Sequence, residues 1–124
     1  MTPTVLRFGY TIVEIYPDST RITLPDGAQI LGAPQDTVAY RRTAKQHGYG
    51  GDTLLLCKEH EVMHIAVTHW LGIESATMRV LRGDSSMKAL SDMEEAAVLA
   101  VQRLARAHGV DLLERMNQCN ETLA

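Results

Sequence analysis

The chain reads as an α+β domain: a small N-terminal antiparallel sheet or hairpin packed on a C-terminal helical bundle. Three observations predict this. Residues 4 to 31 are rich in β-branched and aromatic residues, and two turn signals, Pro17-Asp18 and Pro25-Asp26-Gly27, interrupt them. From residue 52 onward come two long runs of good helix formers, the first stopped by Gly72 and the second by Gly109. The first run has His60-Glu61-Val62-Met63-His64 at its centre, the pattern HExxH, and the bundle is expected to form around it. At 124 residues the chain suits one domain with a single modest core. The expected division is mainly β over 1–34, mainly α over 35–119, and a tail over 120–124.

The elements follow in order. Residues 4 to 16, TVLRFGYTIVEIY, read as one or two strands, with Pro17-Asp18-Ser19 as the turn. Arg21 to Leu24 is a short strand, Pro25-Asp26-Gly27 a tight turn, and Ala28 to Leu31 the return, so 20–32 forms a hairpin. Gly32-Ala33-Pro34 breaks the pattern. Asp36 or Thr37 can cap a helix running to about His47, with Gly48 as its stop and Arg41, Arg42 and Lys45 on a solvated face. Gly48-Tyr49-Gly50-Gly51 is a joint, either a plain connector or the lip of a site. Asp52 or Thr53 caps the central helix and Gly72 closes it.

Residues 73 to 82 fit a strand or an irregular crossing, and periodicity does not decide. Arg82-Gly83-Asp84 reads as a turn that Ser85-Ser86 continue. Ser91, with Glu94 three residues on, forms a capping box for a helix from Asp92 to about His108. A second short helix runs from Val110 to about Cys119, followed by a frayed tail.

Composition excludes several classes. Aromatics are scarce, so the core must rest on Leu, Val, Ile, Ala and Met. A net charge of −3 gives no electrostatic reason to expect nucleic acid or acidic membranes as partners. No segment reaches the roughly 18 apolar residues of a membrane span. Cys57 and Cys119 do not make a disulfide framework, and no basic region followed by an apolar run opens the chain. The expected compartment is the cytoplasm, with reduced thiols.

The HExxH spacing has a chemical reason. Residues four apart share one face of a helix, so His60 and His64 can meet one zinc ion. Glu61, one step round, can reach a water on the metal without being a ligand. It is the candidate catalytic base, taking a proton from that water and passing it to a leaving amine. The competing reading is a metal-free helix whose histidines are solvated or packed in the core.

A catalytic zinc site needs a third protein ligand. His69 lies five residues past His64, about 140° round the helix, and faces away. Cys57, three residues before His60, could share its face, although a buried thiol in an apolar run is the simpler reading. Glu94 and Glu95 open a second helix about thirty residues on, where a carboxylate completes a His-His-Glu set if the helices pack together. Glu94 already has a capping role, which leaves Glu95 as the choice.

HExxH, a gap, and Glu95-Ala96-Ala97-Val98-Leu99-Ala100 in an alanine-rich helix resemble compact gluzincin-type metallopeptidases, the ImmA/IrrE family in particular. The resemblance covers roughly residues 52 to 104. It implies His60, His64 and Glu95 as zinc ligands, Glu61 as the base, and a peptide or protein substrate, the family's own being phage and stress repressors. The expected function is therefore a small zinc-dependent hydrolase, with Tyr40, Tyr49 or His108 as candidates to stabilise an oxyanion. The alternative is a non-catalytic cytoplasmic regulatory or phage-derived interaction module, in which Leu55, Val62, Ile65, Ala66 and Leu71 could support a homodimer.

Overall fold

The computed structural model describes residues 3–32 and 36–123, with side chains described as far as Gln118. Four strands, β1 (Thr4–Phe8), β2 (Thr11–Ile15), β3 (Thr20–Thr23) and β4 (Gln29–Gly32), form an antiparallel sheet in sequence order. The helices are α1 (Val38–Gln46), α2 (Thr53–Leu71), α3 (Ala76–Leu81), α4 (Lys88–Ala107) and α5 (Leu112–Leu123). The α+β reading holds: a four-stranded sheet precedes the helices.

The first run is two strands rather than one because Gly9 breaks it. Gly9 has a φ of 63°, the sign that a two-residue hairpin turn demands at its first central position. The next turn is closed by Tyr16 N–H donating to the Ser19 carbonyl at 2.9 Å. At the last, Leu24 N–H donates to the Ala28 carbonyl at 2.8 Å, and Gly27 takes a φ of 86°. Strand pairing aligns Leu6, Val13, Ile22 and Ile30 in one row across all four strands. The first three are buried and Ile30 packs against them, so the period of two puts this row on the core face.

Helix α2 is the central element, touching β1, β2, α1, α4 and α5. Asp52, not Thr53, is its N-cap and accepts from Leu55 N–H at 3.1 Å; Gly72 closes it at a φ of 70°. Val62, Met63, Ile65 and Ala66 join Leu6, Phe8, Val13 and Ile22 in the core, with Val98 and Ala105 of α4 and Met116 of α5. Full burial of the Val, Ile, Leu, Phe and Met side chains among these stabilises by roughly 1.5–3 kcal/mol each. Val62, Ile65 and Ala66 are thus spent on this chain's own core, whereas Leu55 is half-buried and Leu71 exposed.

Other expectations need correction. Residues 73–82 contain no strand: an irregular stretch at 73–75 leads into α3, capped by Ser75 Oγ accepting from Met78 N–H at 3.2 Å. At fewer than two turns it is too short for periodicity to reveal. Helix α4 begins at Lys88, because a 3-10 turn at Ser85–Met87 runs straight into it. Ser91 is therefore inside the helix, buried, with its hydroxyl 3.1 Å from that of Thr77, and the Ser91–Glu94 capping box does not form. Helix α5 continues past Cys119 to Leu123, so the expected tail is helical there. The break at Ala33-Pro34 and the last residue, Ala124, lie outside the described residues. Among the described residues no helix is long and apolar enough to cross a membrane.

Candidate metal centre

Helices α2 and α4, separated in sequence by α3, pack together where HExxH faces the Glu94-Glu95 pair. His60 and His64 turn to the same side one helical turn apart, their ring centroids 4.7 Å apart. Their Nε2 atoms are 3.1 Å from each other. The Glu95 carboxylate closes the triangle, 2.7 Å from His60 Nε2 and 2.9 Å from His64 Nε2. Among the described residues His60, His64 and Glu95 form a group able to hold a metal ion.

Both imidazoles are also held from behind. His64 Nδ1 lies 2.6 Å from Glu94 Oε2. Glu94 is itself fixed by the start of α3: it accepts from Ser75 Oγ at 2.9 Å, Ala76 N–H at 3.0 Å and Thr77 N–H at 3.3 Å. His60 Nδ1 lies 2.8 Å from Gln102 Oε1. Each ring therefore has an acceptor on Nδ1 and leaves Nε2 for the shared point, the arrangement that orients metal-binding histidines.

Charge follows this geometry. Burial would push the His64 imidazolium down, but hydrogen bonds to Glu94 and Glu95 overcome it and hold its pKa at about 9. Burial likewise pushes Glu94 up, and the donors His64, Thr77 and Ser75 more than offset it, holding its pKa at about 2. Hydrogen bonds from His60 and His64 hold Glu95 far below the usual carboxylate range. The site is acidic and already compact, a setting that favours a cation.

The group opens on a cleft of about 440 Å³. Glu61 lines it beside the histidines, as do Tyr40 of α1, Cys57 of α2, and Thr20 and Gly32 at the ends of β3 and β4. A Cβ on Gly32 would lie 2.7 Å from Thr20 Oγ1 and 3.5 Å from Glu61 Cγ, so glycine is what lets the sheet approach the base. Burial raises the Tyr40 pKa, and the charges of Cys57, Glu61 and Glu95 add to it.

The structure thus brings together Glu61, His60, His64 and Glu95 and separates the other candidate ligands. Glu94 stands behind His64, on its Nδ1 side. Cys57 faces the cleft outside the ligand group. His69 packs edge-on against Phe8, ring centroids 5.8 Å apart, in the last turn of α2. Of the oxyanion candidates only Tyr40 faces the cleft: Tyr49 is buried and bonded to Glu59, and His108 is the exposed C-cap of α4. The glycine joint before α2 is a connector that plants Tyr49 in the interior rather than a lip.

Two buried polar residues were missed from the sequence. Gln102 is fully buried, on the stripe Val98-Gln102-Ala105 of α4; Glu59 is buried on the stripe Leu56-Glu59-Met63 of α2. A polar residue interrupting an apolar stripe at helical spacing was the available signal. Compared with known proteins, the chain matches no family model, no curated protein and no solved structure.

Proposed function

We propose that this chain is a small zinc-dependent hydrolase that cleaves peptide bonds. The observation that carries the proposal is the triangle of His60 Nε2, His64 Nε2 and a Glu95 carboxylate oxygen, with edges of 2.7 to 3.1 Å. Ligands about 2.0–2.1 Å from a tetrahedral zinc stand about 3.3 Å apart, so a slight widening seats the ion. His60, His64 and Glu95 would supply two nitrogens and one carboxylate, the ligand count of catalytic rather than structural zinc.

Zinc would polarise a scissile carbonyl and lower the pKa of its water to about 7. Glu61, in the same cleft and outside the ligand set, accepts one proton from the attacking water. As the oxygen–carbon bond forms and the carbon–nitrogen bond breaks, Glu61 returns that proton to the departing amine. Tyr40, whose hydroxyl keeps its proton, donates a hydrogen bond to the oxygen that gains charge. The substrate class rests on the sheet: β4 pairs only with β3 among the described residues, and its end forms part of the cleft rim, so an extended peptide can add as the next strand. The resemblance to the ImmA/IrrE peptidases supports the same roles, and a cytoplasmic setting goes with it.

The test is zinc content of chelator-stripped, reloaded protein beside turnover of an unstructured protein substrate. Wild type is expected to hold one zinc per chain and to cleave. His60→Ala should lose the zinc, and Glu61→Gln should keep it while losing turnover by at least about a hundred-fold. Undiminished cleavage by Glu61→Gln would refute the assigned base.

A further inference from the structure

We infer that Gln102 is the positioning residue of His60, fixing which ring nitrogen carries the proton and so which one faces the metal. The inference rests on the zinc reading of the site. The Gln102 side chain has two N–H donors and one carbonyl acceptor, and it is fully buried. One donor goes to the Leu56 carbonyl at 3.1 Å. The other goes to the Tyr49 hydroxyl, also at 3.1 Å. That leaves Oε1, which lies 2.8 Å from His60 Nδ1.

The amide cannot be turned over. Reversed, it would set its oxygen against the Leu56 carbonyl and two N–H groups against His60, stranding a buried acceptor at a cost of about 1–3 kcal/mol. The Tyr49 hydroxyl cannot reverse roles either. It donates to the Glu59 carboxylate, which only accepts, so toward Gln102 it must accept. Glu59 is in turn held by Arg106 Nη2 at 2.8 Å, and the Arg106 guanidinium lies over the Tyr49 ring, 4.0 Å from its centroid. The direction of every hydrogen bond from Arg106 to His60 is thus set. At its end stands an acceptor that wants the Nδ1 proton and leaves the Nε2 lone pair for the ion.

The two histidines are therefore oriented by different means. A carboxylate, Glu94, backs His64, whereas a neutral amide backs His60. The neutral acceptor fixes the tautomer without adding another negative charge to a site that already has Glu61, Glu94 and Glu95.

The experiment uses zinc alone as the probe, on the full chain. Zinc affinity is measured by chelator competition for wild type, Gln102→Met and Gln102→Glu, with circular dichroism to confirm folding. The His60 Nδ1 proton is followed by NMR in the zinc-loaded protein. Wild type should show a slowly exchanging Nδ1 proton on His60. Gln102→Met, similar in shape but without an acceptor, should lose that signal and bind zinc about 10- to 100-fold more weakly. Gln102→Glu keeps the acceptor but loses both donations, so it should melt at a lower temperature than wild type yet keep the signal and near-wild-type zinc affinity.

A purely structural Gln102 predicts that affinity follows stability in both variants, and that result overturns the inference. So does zinc bound through His60 Nδ1 in wild type, a readout that stands even if Gln102→Met fails to fold. Equal affinity in wild type and Gln102→Met overturns the positioning role and leaves the zinc reading intact. Wild type that takes up no zinc overturns both.

Discussion

Raising the pH of the metal-free protein should destabilise it through one residue. His64 is 1% exposed and sits between Glu94 and Glu95, and its pKa in the folded chain is about 9 against an ordinary 6.5. A group whose folded pKa is raised gives its full stabilisation below the unfolded value and loses it as pH climbs through the folded one. The contribution is therefore whole below about pH 6.5 and gone above about pH 9. At about 1.4 kcal/mol per pH unit, the window corresponds to about 3 kcal/mol. The depressed pKa values of Glu94 and Glu95 describe the same contacts and are not added to this. On the acid side the contact to Glu94 is complete above about pH 4.5 and is lost as pH falls through about 2. For a chain of this length 3 kcal/mol corresponds to a fall of roughly 10 °C in Tm. The assay is thermal melting in excess chelator from pH 6 to pH 10, with His64→Gln alongside to remove the group. Wild type should fall across the window relative to the variant. Parallel curves for the two proteins would refute the placement of His64 between two ionised carboxylates. Zinc at saturating concentration should flatten the wild-type curve, because the ion takes the place of the Nε2 proton.

Two further substitutions probe the cleft. Tyr40→Phe should lower kcat by about a hundred-fold with little change in KM or zinc content, since it removes one donor to the developing charge; steady-state kinetics on loaded protein checks this. Gly32→Val forces its Cβ against Thr20 Oγ1 and toward Glu61, so it should cost about 1–3 kcal/mol in chemical denaturation and slow turnover without loss of zinc.

Much of this architecture was legible because it is written in local patterns. Pro17-Asp18 and Pro25-Asp26-Gly27 mark two of the three turns that set the hairpin registers; the third, at Gly9, lies inside a run that reads equally as one strand or two. The four-residue interval between His60 and His64 implied a shared face as soon as α2 was recognised. Glu95 could be chosen over Glu94, but for a reason the structure replaces. Glu94 was set aside as a cap for its own helix, and instead it caps α3 and braces His64. That role depends on α3, whose six residues leave no periodic trace. The pairing of Gln102 with Tyr49 and His60 was out of reach for a related reason. Gln102 and Tyr49 meet across 53 residues of chain, and only packing shows that the one carbonyl left on a saturated amide faces a histidine.

The double attachment of Glu94 has a consequence for anyone altering the crossing between α2 and α4. Residues 73 to 87 look like a connector to be shortened, yet Ser75, Ala76 and Thr77 supply three of the four hydrogen bonds that hold this carboxylate. Trimming them would loosen a side chain on the next helix and, through it, His64. The crossing is a remote support of the site, so a graft of the two long helices alone would carry the ligands without the brace that aims one of them.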